Sequence, residues 1–99
     1  MILEVADLRI QPGKQAEFDL AIRRGVDTVI AKQKGFLGYA IEHSIETPER
    51  YLLMIQWATL ENHTVDFRNS PAFLEWRAIA GPYFAAPPAV EHFKRLAAG

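Results

Sequence analysis

The chain has 99 residues, no cysteine, and a formal net charge of −1 from 11 basic and 12 acidic side chains. With 49% hydrophobic residues it carries enough apolar surface for one domain over residues 1–99, and a disordered chain is excluded. Positive and negative charges are interspersed, which argues against nucleic acid as a partner. The absence of thiols rules out disulfides, thiolate metal sites, iron–sulfur clusters and a cysteine nucleophile.

No apolar run reaches the roughly 20 residues needed to span a bilayer. Residues 1–10 also lack the basic segment that leads into a signal-type core, so a cytosolic protein with no membrane partner is expected. Ile2 to Ile10, rich in β-branched and aliphatic residues, reads as a strand that stops at the turn-forming Gln11-Pro12-Gly13. From Lys14 to Lys32 the residues Phe18, Ile22, Val26, Val29 and Ile30 keep the helical period, while Glu17, Arg23, Arg24 and Asp27 fall on the opposite side. A long amphipathic helix is therefore expected, with Gly35 just past its end.

Phe36 to Glu46 alternates as a strand, with Leu37, Tyr39, Ile41, His43 and Ile45 on one face and Phe36, Gly38, Ala40, Glu42 and Ser44 on the other. Thr47-Pro48-Glu49-Arg50 turns the chain into a third strand, Tyr51 to Ala58, which is apolar on both faces. After Thr59 the residues Leu60, His63, Thr64 and Phe67 share one side of a helix, so the imidazole of His63 points inward. A proton-handling group in a ligand cavity has this pattern, and so does a core histidine that bonds a backbone carbonyl. Ser70-Pro71 caps a second helix that Gly81-Pro82 closes, with Phe73, Trp76, Arg77 and Ala80 on one side of it. Ala89 to Leu96 supplies a last strand with Val90, His92, Lys94 and Leu96 facing one way.

This order predicts an α+β fold, the split βαβ sandwich of ferredoxin-like domains with an antiparallel sheet. Helices cover one sheet face there, so the doubly apolar third strand would leave leucine and isoleucine in water. A homodimer packed sheet to sheet removes that exposure.

The Pro12-Gly13 turn, Gly35-Phe36-Leu37-Gly38-Tyr39, the strand ending in Trp57, Leu60-Glu61-Asn62-His63, Phe67 with Ser70-Pro71, and Val90-Glu91-His92-Phe93 together resemble the antibiotic biosynthesis monooxygenase family of dimeric α+β barrels. The resemblance covers nearly the whole chain. It implies a pocket between sheet and helices, in which cofactor-independent members oxidise polycyclic phenols with molecular oxygen. Such chemistry asks the protein for a base, a donor to the oxyanion and a dry aromatic cavity, because the deprotonated substrate itself reduces oxygen.

On that footing His63 is the candidate base, since a neutral imidazole accepts a proton at neutral pH. Trp57, Trp76 and Phe67 are candidates to contact a flat aromatic substrate, Tyr39 and Tyr83 to donate to a phenolate, and Arg77 to hold an anionic intermediate. Each also has a plain structural reading as a core aromatic, an edge tyrosine or a surface-reaching arginine. His43 and His92 read as exposed or interfacial. No histidine pair sits at the short spacing of metal motifs, so no metal is expected, and the resemblance to cofactor-independent members implies no flavin. The haem-degrading branch, which this scaffold also resembles, relies on an asparagine, a tryptophan and a haem-binding histidine. Trp57 is present, but Arg77 stands where the histidine should follow Ser70-x-x-Phe73, and Asp7 replaces the asparagine. The alternatives to oxygenation are a small-molecule binding protein of the same fold and, less favoured, an isomerase that uses His63 without oxygen.

Overall fold

A computed structural model describes all 99 residues. The chain runs β1 (Ile2–Arg9), α1 (Gln15–Thr28), β2 (Phe36–His43), β3 (Arg50–Trp57), a π-helical turn (Asn62–Phe67), α2 (Pro71–Ala80) and β4 (Ala89–Phe93). The four strands form one antiparallel sheet in the order β2-β3-β1-β4, the ferredoxin-like arrangement expected from the sequence. Both helices lie on the same sheet face. Ala6 and Leu8 of β1, Leu53 and Ile55 of β3, and Phe18, Ile22 and Val26 of α1 meet there in one apolar core.

Register sorts the side chains into an inner and an outer set. Glu4 pairs with Ile55 and His92, and Ala6 with Leu53 and Val90, all toward the helices. Leu3, Val5, Leu52, Met54, Ala40 and Phe93 share the outer face, which no helix covers.

Three local expectations are corrected. In β2 a bulge between Phe36 and Gly38 inserts one residue, so Phe36 joins Tyr39, Ile41 and His43 on the inner face and Leu37 turns out, 56% exposed. The long helix ends early, at Thr28, and the chain tightens through a 3₁₀ turn at Ile30–Lys32, where the β-branched run Thr28-Val29-Ile30 disfavours further helix. Ser70 precedes Pro71 at the head of α2 as expected, but its hydroxyl donates back to the Phe67 carbonyl at 2.7 Å and caps no helix N–H.

Two glycines allow close approaches that fix the layer. Gly35 has φ +83° and lies against the side chain of Asn62, so it ties the start of β2 to the π-helical turn. Gly25 lets α1 meet α2. A Cβ there would stand 2.7 Å from Cζ3 and 2.8 Å from Cε3 of Trp76. We therefore expect Gly25→Ala to destabilise the fold by about 1–3 kcal/mol, a fall in Tm of at least ~4 °C in a domain of this size. Gly81→Ala, where nothing lies within 4 Å and φ is −56°, should stay within about 0.5 kcal/mol of the parent. Thermal unfolding of both variants checks the pair.

Candidate functional site

Three neighbouring elements place polar groups at one spot on the inner sheet face. Glu4 stands mid-strand on β1 among Ala6, Leu8 and Ile55, and is only 5% exposed. Trp57 closes β3 one diagonal step away, fully buried, and its indole Nε1–H donates to Glu4 Oε1 at 2.9 Å. The chain then turns through Thr59, whose backbone N–H donates to Asn62 Oδ1 at 3.0 Å, while the Asn62 amide donates to Asp66 at 3.2 Å. The π-helical turn that follows is held by Arg68 N–H on the His63 carbonyl, 3.1 Å, and it buries Asn62, His63 and Phe67 together.

His63 is 3% exposed, as its inward spacing predicts. Its ring stacks on Trp57 with centroids 5.5 Å apart, and its Nε2 lies 3.3 Å from Glu4 Oε1. Its other nitrogen, Nδ1, is 2.7 Å from Nε2 of His92, which β4 delivers opposite Glu4. Both ring nitrogens of His63 therefore face protein partners. Two nitrogens bound to one metal would stand about 3.3 Å apart, and the shorter separation here is that of a shared proton. No three histidine, aspartate or glutamate side chains are disposed as a metal site.

Burial and neighbouring charge set the protonation states. Burial pushes the Glu4 carboxyl up from 4.5 to about 7, although the Trp57 N–H and the Arg68 guanidinium both favour its ionised form. Burial, aided by Arg68 and His92, pushes His63 down from 6.5 to about 4. His92 is lowered by burial and by Arg68. At neutral pH both imidazoles are uncharged. The group that titrates there is the glutamate.

Glu4, His63, Phe67 and Arg68 of this cluster lie in the wall of a cleft of about 860 Å³ between α2, the segment 84–88 and the sheet, a volume within the ~300–1,000 Å³ usual for small-molecule sites. Its walls are mostly apolar, with Phe67, Phe73, Trp76, Phe84 and Val90 prominent, and Arg68 and Arg77 bring the only full positive charges. Of the residues singled out from sequence, His63, Phe67, Trp76 and Arg77 line this cleft together. Trp57 lies behind it, buried against Glu4, Phe67 and His63, and offers no face to a ligand. Tyr39 is elsewhere, its hydroxyl 3.4 Å from Asp27 of α1, and Tyr83 packs on Phe18. His43 stacks on Tyr51 at 4.1 Å and bonds the Pro48 carbonyl, well apart from the other histidines in the fold.

Sequence reasoning passed over Glu4 and Arg68. The signal for Glu4 was available: it shares alternation with Ala6, Leu8 and Ile10, while Asp7 and Arg9 mark the opposite parity as outward. Arg68 gave none, because a cation at the end of a turn reads as solvated surface.

The sequence profile of the family described as antibiotic biosynthesis monooxygenase matches residues 1–79. The chain belongs to the antibiotic biosynthesis monooxygenase family. It is 36% identical over 94 residues to the uncharacterised protein YczJ of Bacillus subtilis strain 168, covering 95% of this chain and 98% of that one. A solved structure from Bordetella bronchiseptica, described as a candidate antibiotic biosynthesis monooxygenase, is 40% identical with a TM-score of 0.91 over 97% of both chains. SnoaB, described as a cofactor-independent oxygenase from Streptomyces nogalater, is only 16% identical but shares the fold, with a TM-score of 0.82 over 98% of this chain and 94% of its own. Within this family fold the present chain holds its buried acid at position 4 and the histidine pair at 63 and 92.

The opposed shifts have a signature in stability. A raised Glu4 contributes stability below pH 4.5 that is lost as pH rises through about 7, whereas a lowered His63 contributes stability above pH 6.5 that is lost as pH falls through about 4. Between 4.5 and 6.5 the two slopes cancel. Urea unfolding across that window should show Glu4→Gln losing stability toward acid and His63→Gln gaining it. Each slope should approach roughly 1 kcal/mol per pH unit, and the parent protein should be flatter than either.

Proposed function

We propose that the protein is a cofactor-independent oxygenase that uses molecular oxygen to oxidise a small aromatic or polyketide-like phenol or quinol in this cleft. The observation that carries the reading is a buried carboxyl–imidazole pair in the wall of an apolar cavity large enough for a fused-ring compound. Proton removal is the step such a substrate needs. Glu4, titrating near the working pH, is the better acceptor of the two, and His63 holds it from behind. The base expected at His63 alone thus becomes a pair. The other carboxyl oxygen of Glu4, Oε2, takes no hydrogen bond within the protein. No fully buried side-chain oxygen is left without a partner, so Oε2 is accessible, and Glu4 is part of the cleft wall.

The anion so formed gives one electron to oxygen, the two radicals combine as a peroxide, and loss of water leaves a carbonyl. One substrate and one O₂ become quinone and H₂O, so no flavin, haem or metal is required. Arg68 and Arg77 supply cations toward the developing oxyanion, and the apolar wall keeps water from intercepting the intermediates. Family membership supports this reading, as does the shared fold of SnoaB.

The same proposal includes a homodimer joined through the outer sheet face. Leu3, Val5, Leu52, Met54 and Phe93 stand together there with no covering element, and Phe93 is 48% exposed. A second copy of that face would cover them about a twofold axis.

Oxygen uptake with a panel of anthrones, naphthols and quinols tests the activity. At least one compound should turn over, and Glu4→Gln and His63→Ala should each lower kcat by about 10²–10⁴ while ligand binding persists. Uptake on no compound, with bound ligand recovered unchanged by mass analysis, would leave a binding protein in place of the enzyme. Sedimentation tests the assembly: the parent should run as a dimer, and Met54→Lys, which puts a charge at the centre of the outer face, should run as a monomer.

A further inference from the structure

The sequence pattern reads His92 as an exposed or interfacial strand histidine. The fold instead inserts it into the buried cluster as the third member of a line, Glu4 Oε1 to His63 Nε2 at 3.3 Å and His63 Nδ1 to His92 Nε2 at 2.7 Å. The far nitrogen, His92 Nδ1, has no hydrogen-bond partner in the protein. Because every fully buried side-chain nitrogen has one, Nδ1 meets solvent, and His92 is absent from the cleft wall that Glu4 and His63 form. One end of the line thus lies at the cleft and the other at half-buried His92 on the edge strand β4.

We infer that Glu4, His63 and His92 form a proton relay between the cleft and solvent, with His92 as its outer terminal. The inference rests on the proton-accepting role given above to the Glu4–His63 pair. Hydrogen-bond geometry allows two self-consistent states. In one, Glu4 is ionised, His63 carries its proton on Nε2 toward the carboxylate, and His92 carries its proton on Nε2 toward His63 Nδ1. In the other, Glu4 is protonated on Oε1 toward His63 Nε2, and both rings carry their protons on Nδ1. The states differ by one proton. It enters at His92 Nδ1 as the Nε2 proton of His92 moves to His63 Nδ1 and the Nε2 proton of His63 moves to Glu4, and the reverse sequence releases it. Neither imidazole need become a cation at rest, which suits a site where both are buried or half-buried and Arg68 bears on all three groups. The longer 3.3 Å step is of the kind that tightens when a site fills.

Among the other groups packed around the line, Trp57 and Phe67 are uncharged, and Glu91, paired with Val5, belongs to the opposite sheet face. Arg68 is therefore the one permanent charge acting on the relay. The relay lets Glu4 exchange a proton on Oε1 with solvent while a substrate blocks the mouth of the cleft, and a proton received at Oε2 enters it once it has passed to Oε1.

The test needs no substrate. With ¹⁵N- and ¹³C-labelled protein, the ring nitrogens of all three histidines and the Glu4 carboxyl carbon are followed by NMR from pH 5 to 9. As Glu4 ionises, His63 and His92 should pass together from the Nδ1–H to the Nε2–H form. His43, whose Nε2 donates to the Pro48 carbonyl at 2.7 Å, lies outside the line, so its signals should not follow those of the Glu4 carboxyl. In Glu4→Gln the joint change should vanish. Rings that keep one tautomer while Glu4 titrates, or that change at separate pH values, would overturn the relay, and the parent titration alone decides this if the variant does not fold. If an oxygenase substrate is found, His92→Gln, which can hydrogen-bond His63 but cannot pass a proton, should lower kcat at least tenfold with partial recovery in free imidazole. Undiminished turnover in that variant would also overturn the relay. A relay seen by NMR without oxygen uptake would sink the oxygenase reading alone.

Discussion

A carboxyl group on the buried face of a β-strand is the constraint to which the rest of the site answers. An isolated ionised carboxylate in hydrocarbon is so costly that such a group either stays protonated or gathers donors. Here it does some of both. The indole N–H of Trp57 reaches it, His63 lies beside it, and the Arg68 charge acts from the end of the π-helical turn, yet burial still outweighs them and leaves the carboxyl near neutral pH. Trp57 therefore serves as a hydrogen-bond donor and as a plate behind His63, which explains why so large an aromatic is buried at the head of a cleft without lining it.

The scaffold that keeps these donors in place is built from close approaches. Asn62 anchors the π-helical turn by gripping the Thr59 N–H and Asp66, and its side chain rests on Gly35, so the turn bearing His63 is tied to the start of β2. Trp76 fits against Gly25, which sets the separation of α2 from α1 and thereby one wall of the cleft. The segment after α2 is pinned by Ala85 N–H on the Arg9 carbonyl, 2.8 Å, and by Gln11 N–H on the Tyr83 carbonyl, 2.9 Å, and it forms the opposite wall. The cavity is the space left between elements whose spacing is fixed at other points.

Much of this was legible in the residues. Periodicity placed α1, α2 and the four strands, and their order implied the ferredoxin-like sheet. The inward position of His63 followed from its spacing with Phe67. What escaped depended on one-residue details that patterns average over. The bulge at Leu37 reverses the parity of the start of β2, so Phe36 and Leu37 trade faces. The π-helical turn is one residue wider per turn than an α-helix, so Asn62 and His63 are both buried while Leu60 stays 38% exposed. The meeting of His92 with His63 depends on β4 pairing with β1 at Glu4, a register that sequence pattern does not specify. Tyr39 illustrates the reverse: its parity was read correctly, but it lies over α1 rather than over the cleft, because β2 is the strand farthest from β4.

In the proposed oxygenase the order of the two buried pKa values decides which atom takes the proton. A lone imidazole at position 63, pushed down to about 4 by its surroundings, would be neutral at pH 7 and free to accept a proton, but it would hold one too weakly to draw it from a phenol. A lone carboxylate at position 4 would draw the proton but would have no route to return it once the cleft is occupied. Set side by side, as the proposal has them, the glutamate would supply the affinity and the histidine a tautomer that can change as the charge on its neighbour changes. The depressed basicity of His63 is then an advantage, since a ring that became a stable cation would trap the proton midway between cleft and solvent. Burial thus acts in opposite senses on an acid and a base 3.3 Å apart, and brings the first to about 7 while keeping the second uncharged at neutral pH.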